Sequence, residues 1–223
     1  MIFFDIDDTL LDDRHAQDEA ALGLRREFSH LLPYAPEEFP ALWDAVSVRH
    51  YRSFTTGDIS FVEQRRRRIH EVFRAPDLPD ADADARFARY LAHHEENWTL
   101  FPDALPCLHA LGGRRLGIIS NGDPAQQRRK LSATGIARFF PTVVVSGDIG
   151  IPKPQAEIFL HACRLAGVRP EECLYIGDNL VFDAQGSRAA GMRGVWLNRR
   201  GAPSAGVAQP IITTLADLPA CCR

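Results

Sequence analysis

The sequence predicts an α/β protein whose parallel sheet is interrupted, after its first strand, by a helical domain. Three observations predict this fold: an apolar segment at residues 2–10, a helix-patterned stretch at residues 14–97, and strand–helix alternation from about residue 100 onward. Such alternation is typical of βαβ units with parallel strands. We therefore expect a Rossmann-like, three-layer core formed by residues 1–13 and 98–223, with an all-helical insertion at residues 14–97.

The insertion contains four segments with apolar residues at helical spacing: Ala16–Leu31, Glu37–Tyr51, Ser60–Phe73 and Asp84–Asn97. The core then continues with strands expected at Leu116–Ser120, Thr142–Ser146, Leu174–Ile176 and Gly194–Leu197. The helices expected between these strands are Pro124–Thr134, Gln155–Ala166 and Val181–Ala190. An insertion that leaves the carboxyl end of the first strand starts where open α/β sheets bind ligands, and we expect it to act as a lid.

Composition narrows the class of protein. The 223 residues carry a formal net charge of −3, which gives no electrostatic reason to expect a nucleic acid polymer as partner. No apolar segment approaches the roughly 18 residues that span a bilayer, so we expect no membrane association, and the early first strand predicts no signal peptide. The five cysteines form no C-x-x-C motif, which predicts a reduced, cytoplasmic setting. The Cys221–Cys222 pair is interpreted as an incidental part of the tail.

The first strand runs into a cluster of carboxylates, in the sequence Phe-Phe-Asp-Ile-Asp-Asp-Thr-Leu at residues 3–10. Alternation along an extended chain puts Asp5 and Asp7 on the same side, where two carboxylates can hold Mg²⁺. Asp8 and Thr9 are suited to turn the chain, because their side chains bond nearby backbone amides. The alternative for these residues alone is a solvated turn after an edge strand.

Polar residues also follow the second strand. Ser120 and Asn121 stand just before Pro124, which is well placed to open a helix. A hydroxyl, free backbone amides and a helix N-terminus together form an anion pocket. The alternative is an ordinary turn in which Asp123 serves as the helix N-cap.

Two later segments repeat this pattern of polar residues at strand and helix ends. Lys153 lies between two prolines just before a helix, where the helix dipole disfavours a cation, so we expect its ammonium to reach an anion. Asp178 ends a strand and Asp183 follows near the start of a helix. The alternative for Lys153 is a solvated surface lysine. The alternative for the later segment is that Asp178 or Asn179 serves only as a helix N-cap.

These four segments, in this order, resemble the four motifs of the haloacid dehalogenase superfamily: Asp-Ile-Asp-Asp-Thr, Ile-Ile-Ser-Asn-Gly, Lys-Pro-x-x-x-Ile-Phe and Gly-Asp-x-x-x-x-Asp. The insertion resembles the C1 cap of that superfamily. The resemblance implies that Asp5 is a nucleophile that takes up a phosphoryl group, and that Asp7 is the general acid and then the general base. It also implies Mg²⁺ as cofactor, bound by the Asp5 carboxylate, the Asp7 backbone carbonyl and Asp178.

The same resemblance implies how phosphate is held. Ser120, the backbone amide of Asn121 and Lys153 would bind the phosphoryl oxygens, and Asp183 would orient Lys153 or a metal-bound water. One position departs from the pattern, because relatives often carry Asn where this chain has Phe182. The departure puts the hydrogen bonds around Asp183 in question.

The reaction implied is Mg²⁺-dependent hydrolysis of small phosphorylated metabolites such as nucleoside monophosphates or sugar phosphates, by a monomer or homodimer. The haloacid dehalogenases themselves typically lack the second aspartate and need no metal, so Asp7 and Asp178 favour a phosphatase. A sugar phosphomutase, a 2-haloacid dehalogenase and a non-catalytic interaction protein are the alternatives. The insertion also resembles the caps of nucleoside 5′-monophosphate phosphatases and N-acylneuraminate-9-phosphatase-like members. Its aromatic residues, Trp43 among them, are interpreted as core residues, and Arg65–Arg68 as a solvated run.

Overall fold

The computed structural model describes residues 1–221 and divides into two compact units. One unit contains Met1–Asp13 and the residues from Thr99 onward, and the other is Arg14–Trp98. The sequence predicts an insertion at residues 14–97. Cys222 and the side chain of Cys221 lie outside the described residues, so the interpretation of that pair stays a prediction. No helix among residues 1–221 is long and apolar enough to cross a membrane.

The first unit is built on a six-stranded parallel sheet. Its strands are β1 (Ile2–Phe4), β2 (Leu116–Ser120), β3 (Thr142–Val145), β4 (Leu174–Gly177), β5 (Arg193–Leu197) and β6 (Ile211–Ile212). Their order across the sheet is β3-β2-β1-β4-β5-β6, and every pairing is parallel. The chain leaves β1 toward β2 and β3 on one side and returns to β4 on the other. The carboxyl end of β1 is therefore the topological switch point of the sheet, and the predicted α/β fold is confirmed.

Helices connect these strands and form the second unit. In chain order they are α1 (Asp13–Glu27), α2 (Phe39–Thr55), α3 (Phe61–Val72), α4 (Asp80–Glu96), α5 (Ala104–Ala110), α6 (Pro124–Ala133), α7 (Ser146–Ile149), α8 (Ala156–Ala166), α9 (Gly186–Ala189) and α10 (Leu218–Cys221). A π-helical turn at Leu180–Gln185 comes directly before α9, where the sequence predicts one continuous helix. Of the elements absent from the sequence prediction, β6, α7 and α10 are two to four residues long, too short to show a period. Helix α5, of seven residues, is also absent from the prediction.

The core of the first unit lies against both faces of the central strands. All three residues of β1 are buried, because β2 and β4 flank the strand and cover both of its edges. Phe3 belongs to a buried cluster that includes Phe159 of α8 and Tyr175 of β4, whose rings meet edge to face at 5.2 Å. This close packing joins the sheet to α8.

The first strand is shorter than the sequence predicts. β1 ends at Phe4, and the amides of Thr9, Leu10 and Leu11 all donate to the carbonyl of Ile6. Asp8 adopts a φ of 54°, in the left-handed region that aspartate enters more readily than most residues. The alternation that put Asp5 and Asp7 on one side of a strand is therefore wrong, because both lie beyond the strand, in a compact loop.

In the second unit, every regular element from Arg14 to Trp98, a stretch described without gaps, is a helix. Trp43 is 1% exposed, and its ring lies 4.4 Å from that of Tyr90, so it is a core residue as interpreted. The interpretation of Arg65–Arg68 as a solvated run is wrong for Arg68. Its Nε is buried without a hydrogen bond among the described residues, and burial lowers the pKa of its guanidinium to about 10.

Candidate active site

A buried lysine links two of the predicted aspartates at the carboxyl end of β1. Asp5 is the first residue after the strand, and its amide donates to the carbonyl of Ile176 at 2.9 Å. Lys153 comes from the loop between α7 and α8, and its Nζ lies 2.9 Å from Asp5 Oδ1 and 2.7 Å from Asp183 Oδ1. The Lys153 side chain is 3% exposed. The solvated alternative for Lys153 is therefore excluded, and its ammonium reaches anions as expected.

The charge on Lys153 is maintained by these carboxylates. Burial alone would lower the pKa of the lysine, but the negative charges of Asp183 and Asp5 outweigh that effect and raise it. A buried cation is tolerated only where opposite charge and hydrogen bonds replace water. Lys153 therefore supplies a permanent positive charge beside Asp5.

Asn121 holds the backbone of Lys153 from the end of β2. Its Oδ1 accepts a hydrogen bond from the Lys153 amide at 2.8 Å, and its Nδ2 donates to the Lys153 carbonyl at 3.2 Å. The sequence prediction concerned only the backbone amide of Asn121, as a ligand for phosphate. The structure adds a role for the side chain, which ties the lysine loop to the second strand.

Asp183 is completely buried beneath the loop that follows β4. Its Oδ2 accepts a hydrogen bond from the Asn179 amide at 2.9 Å, and its Oδ1 faces Lys153. A Cβ at Gly177 would lie 2.3 Å from the Asp183 carboxylate, so only glycine allows this approach. Phe182 is 45% exposed and only its backbone amide takes part, donating to Asn179 Oδ1 at 2.9 Å. The departure at Phe182 therefore leaves the hydrogen bonds of Asp183 intact.

Tyr175 completes this buried group and was not predicted as a site residue. Its hydroxyl donates to the Ile119 carbonyl at 2.8 Å, accepts from Lys153 Nζ at 3.0 Å and lies 3.2 Å from Asp183 Oδ1. Burial, together with the charges of Asp183 and Asp5, raises the pKa of the phenol well above its usual value. A tyrosine in an apolar strand gives no signal by itself, because most such residues are core residues.

Three carboxylates form an oxygen-rich cluster suited to a metal ion. One oxygen each from Asp5, Asp178 and Asp183 lies within 4.8 Å of the others. Burial, reinforced by the charges of Asp5, Asp183 and Asp8, raises the pKa of Asp178 to about 8. Burial likewise raises the pKa of Asp5, against the opposing effect of Lys153. Carboxylate oxygens are the ligands that Mg²⁺ prefers, and a cation here would offset the mutual repulsion of these groups. The residues present therefore fit a hard divalent cation.

The loop that carries Asp178 is tied to the loop after β1. The Asp178 amide donates to Thr9 Oγ1 at 3.0 Å, and the Asp178 carbonyl accepts from Trp196 Nε1 at 2.8 Å. Thr9 is completely buried. Its hydroxyl therefore connects the turn after β1 to the end of β4 and helps to keep Asp5 and Asp178 together.

Asp7 is held in a different place from Asp5. Its Oδ1 accepts a hydrogen bond from Lys130 Nζ at 2.6 Å, and its Oδ2 accepts from Gln127 Nε2 at 2.8 Å. Burial and the charge of Asp13 raise the pKa of Asp7, and Lys130 opposes them. The Asp7 carboxylate is not part of the acidic cluster found among the described residues. That Asp7 binds a metal through its backbone carbonyl stays a prediction.

Ser120 lies at the end of β2 and is 1% exposed. Its Oγ accepts a hydrogen bond from Gln127 Nε2 at 2.8 Å. Asp123 caps α6, since its Oδ1 accepts from the Gln126 amide at 2.9 Å, so the N-cap interpretation of Asp123 holds. Ser120 and Asn121 thus stand at the start of this helix, and their predicted contacts with a phosphate stay predictions.

The sequence is similar to several proteins that are named as phosphatases. It is 39% identical over 117 residues to glyceraldehyde 3-phosphate phosphatase of Methanopyrus kandleri, which covers 50% of this chain and 50% of that protein. A phosphoserine phosphatase of Thermus thermophilus is matched over 53% of its length, so the chain spans about half of these two relatives. The human N-acylneuraminate-9-phosphatase is 29% identical over 228 residues, covering 98% of this chain and 92% of that protein.

Solved structures share the whole fold. The HAD-hydrolase YfnB from Bacillus subtilis, solved bound to magnesium, superposes with a TM-score of 0.83 at 26% identity, covering 100% of this chain and 97% of that one. A 2-haloacid dehalogenase from Pseudomonas syringae pv. Tomato superposes with a TM-score of 0.73 at 29% identity, covering 98% of this chain and 96% of that one. The model of the haloacid dehalogenase-like hydrolase family matches residues 1–191. The resemblance carried by the four motifs is thus confirmed, and the chain belongs to the haloacid dehalogenase-like hydrolase family.

Proposed function

We propose that the protein is a Mg²⁺-dependent phosphatase that hydrolyses small phosphomonoesters through a phosphorylated Asp5. The observation that carries this proposal is the separation of two carboxylates of one short loop into different surroundings. Asp5 faces Lys153 and the acidic cluster, whereas Asp7 faces Lys130 and Gln127. Two carboxylates with different environments are suited to two different tasks in one reaction.

In the first half-reaction, a carboxylate oxygen of Asp5 attacks phosphorus and the bond from phosphorus to the leaving oxygen breaks. Asp7, in its protonated form, donates a proton to that oxygen and the alcohol departs. In the second half-reaction, Asp7 takes a proton from water as the water oxygen attacks phosphorus. The bond from phosphorus to Asp5 breaks, inorganic phosphate leaves, and both aspartates return to their starting states.

The surrounding residues serve this reaction by electrostatics and positioning. Lys153, already paired with Asp5, offsets the negative charge that a phosphate brings to a carboxylate. Ser120 and the backbone amide of Asn121 would donate hydrogen bonds to the phosphoryl oxygens at the start of α6. Asp183 keeps the ammonium of Lys153 in place from the far side.

Mg²⁺ is the proposed cofactor, bound by Asp5, Asp178 and the backbone carbonyl of Asp7. When bound, it would neutralise phosphoryl charge and orient the phosphate for in-line attack. Two findings support it: the oxygen cluster formed by Asp5, Asp178 and Asp183, and the magnesium bound to the related YfnB. Burial and the charges of Asp5, Asp183 and Asp8 raise the pKa of Asp178 to about 8, and a bound cation would favour its ionised form.

The proposed substrates are small phosphorylated metabolites, because the similar proteins act on glyceraldehyde 3-phosphate, phosphoserine and N-acylneuraminate 9-phosphate by their names. Nucleoside monophosphates and other sugar phosphates belong to the same class of substrate, and the panel of esters described below includes them. Several expectations from the sequence stay predictions. They are that residues 14–97 act as a lid, that neither a nucleic acid nor a membrane is a partner, that the protein is cytoplasmic, and that it is a monomer or homodimer.

Dehalogenation is the second candidate, because a 2-haloacid dehalogenase shares 29% identity and the fold. Dehalogenation also uses a carboxylate nucleophile, but the halide that leaves needs neither a proton nor a metal ion. Such a reaction gives no role to Asp7 or to the oxygen cluster around Asp178. These two features favour the phosphatase.

A panel of esters tests the proposal. The purified protein is assayed for inorganic phosphate release from sugar phosphates, nucleoside monophosphates, phosphoserine and N-acylneuraminate 9-phosphate, with Mg²⁺ and with EDTA. We expect turnover of at least one ester with Mg²⁺ and its loss with EDTA. Chloride release from 2-chloropropionate at comparable efficiency would instead establish a dehalogenase. Formation of an isomeric sugar phosphate, with no release of free phosphate, would establish a mutase. Binding of a protein partner, with no turnover of any ester, would establish an interaction protein.

A further inference from the structure

Helix α6 binds both oxygens of the Asp7 carboxylate. Lys130 Nζ donates to Asp7 Oδ1 at 2.6 Å and Gln127 Nε2 donates to Asp7 Oδ2 at 2.8 Å. Positions 127 and 130 are three residues apart and lie on the same face of the helix. Hydrogen bonds to both oxygens fix the rotation of the carboxylate as well as its position.

These two side chains are unusually buried for their types. Gln127 is 2% exposed and Lys130 is 3% exposed. Lys130 also donates to Asp13 Oδ1 at 2.7 Å, so one ammonium bridges two carboxylates. Burial would lower the pKa of Lys130, but the charges of Asp13 and Asp7 raise it. A buried lysine is costly unless it is paired in this way.

Gln127 extends the network to the end of β2. Its Nε2 also lies 2.8 Å from Ser120 Oγ and 3.2 Å from the Asn121 carbonyl. One amide nitrogen therefore connects Asp7 to the residues that follow the second strand. The Asp7 side chain remains 30% exposed, so its carboxylate keeps an open side beyond these hydrogen bonds.

We propose that Lys130 and Gln127 are positioning residues that hold the Asp7 carboxylate in the orientation for proton transfer, with Asp13 as the anchor for Lys130. The inference rests on the proposed phosphatase function. The hydrogen bonds of these two side chains go to Asp7, Asp13 and the end of β2, whereas Lys153 pairs with Asp5 and Asp183. Their role is therefore separate from that of Lys153, which serves the nucleophile.

The leaving group of the substrate provides a test that a purely structural role would not pass. An alkyl ester needs a proton on its leaving oxygen, whereas 4-nitrophenolate leaves readily without one. Displacing the carboxylate should therefore lower kcat/KM for an alkyl phosphate by about 10- to 100-fold. For 4-nitrophenyl phosphate we expect a decrease of less than about 3-fold, because little of its barrier depends on proton donation.

The variants are Gln127→Met and the pair Lys130→Met with Asp13→Asn. The pair is needed because Lys130→Met alone would leave the Asp13 carboxylate buried without a cation. Arg129→Met is the matched control, since it removes a positive charge from an exposed position on the same helix. We expect the control to hydrolyse both esters as the unchanged protein does.

Equal losses on both esters, or no loss on either, would overturn the positioning role while leaving the phosphatase function in place. If the unchanged protein hydrolyses neither the alkyl nor the aryl ester with Mg²⁺, the proposed function fails, and this inference fails with it. Circular dichroism and urea unfolding of each variant identify a loss of folded protein, which would lower both activities by the same factor.

Discussion

The ammonium of Lys153 and the carboxylate of Asp5 form a buried ion pair, with 2.9 Å between Nζ and Oδ1. Lys153 arrives from a loop more than a hundred residues further along the chain, and Asp183 and Tyr175 hold its ammonium from the other side. The pair therefore depends on three separate strand and helix ends meeting at one edge of the sheet. Because each partner is buried, the consequences of removing it should be large and measurable.

Replacing the proposed nucleophile tests the covalent step. Asp5→Asn keeps the size of the side chain but removes the attacking oxygen, so kcat should fall by more than about 10³-fold. Rapid quenching followed by mass spectrometry should find a phosphoryl group on Asp5 in the unchanged protein and none in the variant. Turnover that survives this substitution in a folded protein would exclude Asp5 as nucleophile.

Removing the lysine should affect both stability and catalysis. Lys153→Met leaves Asp5 and Asp183 buried without their cation, which should lower the free energy of unfolding by about 3–5 kcal/mol. Arg169→Met, at an exposed ion pair of the same unit, should change it by less than about 1 kcal/mol. Urea denaturation measures both values. An equal, small change in the two variants would contradict the assigned role of Lys153.

Cation binding should depend on pH through Asp178. Burial and the charges of Asp5, Asp183 and Asp8 raise the pKa of this carboxyl group to about 8 in the absence of a metal. Below that pH a cation must displace a proton, so the apparent affinity for Mg²⁺ should fall by roughly tenfold per pH unit as the pH decreases. Isothermal titration calorimetry between pH 6 and pH 9 checks the slope.

The matched variant for that experiment is Asp178→Asn, which removes one charged ligand and its proton. It should bind Mg²⁺ more weakly at pH 9, and its affinity should vary less with pH. A protein whose affinity for Mg²⁺ is independent of pH over this range, or an Asp178→Asn variant with unchanged affinity, would remove Asp178 from the proposed metal site.

A partly buried ion pair, between Asp103 and Arg199, should control stability in acid. Burial would raise the pKa of Asp103, but hydrogen bonds from Arg199, Thr214 and the Leu215 amide outweigh it and lower the pKa to about 2. Because the folded pKa lies below the unfolded one, this contribution of about 2 kcal/mol is present above pH 4 and lost as the pH falls through 2.

Asp103→Asn should therefore destabilise the protein at pH 7, and its difference from the unchanged protein should shrink as the pH approaches 2. Urea unfolding at pH 7, 4 and 2.5 measures this trend. Asp77→Asn, at an exposed position, is the control and should show a small effect at every pH. A difference for Asp103→Asn that stays constant across the range would contradict the assigned pKa shift.

The sequence alone identified the fold and the residues that end its strands. Strand–helix alternation predicts a parallel sheet, and in such a sheet the carboxyl ends of neighbouring strands lie side by side. Asp5 and Asp178 each follow an apolar strand, so their meeting was predictable. Lys153 was also predictable, because a lysine before a helix start is poorly placed unless an anion lies nearby.

Tertiary structure alone decided how the two aspartates of the first loop are separated. The sequence predicts a strand that continues past Phe4. In the structure the strand ends at Phe4, and the Ile6 carbonyl accepts hydrogen bonds from three backbone amides of the following turn. Gln127 and Lys130 look like ordinary polar residues of a solvated helix, and Tyr175 looks like a core aromatic. Their partners lie between 6 and 123 residues away in the chain. The electrostatic environment of a side chain depends on which distant groups the fold buries beside it, and no local pattern of residues specifies that.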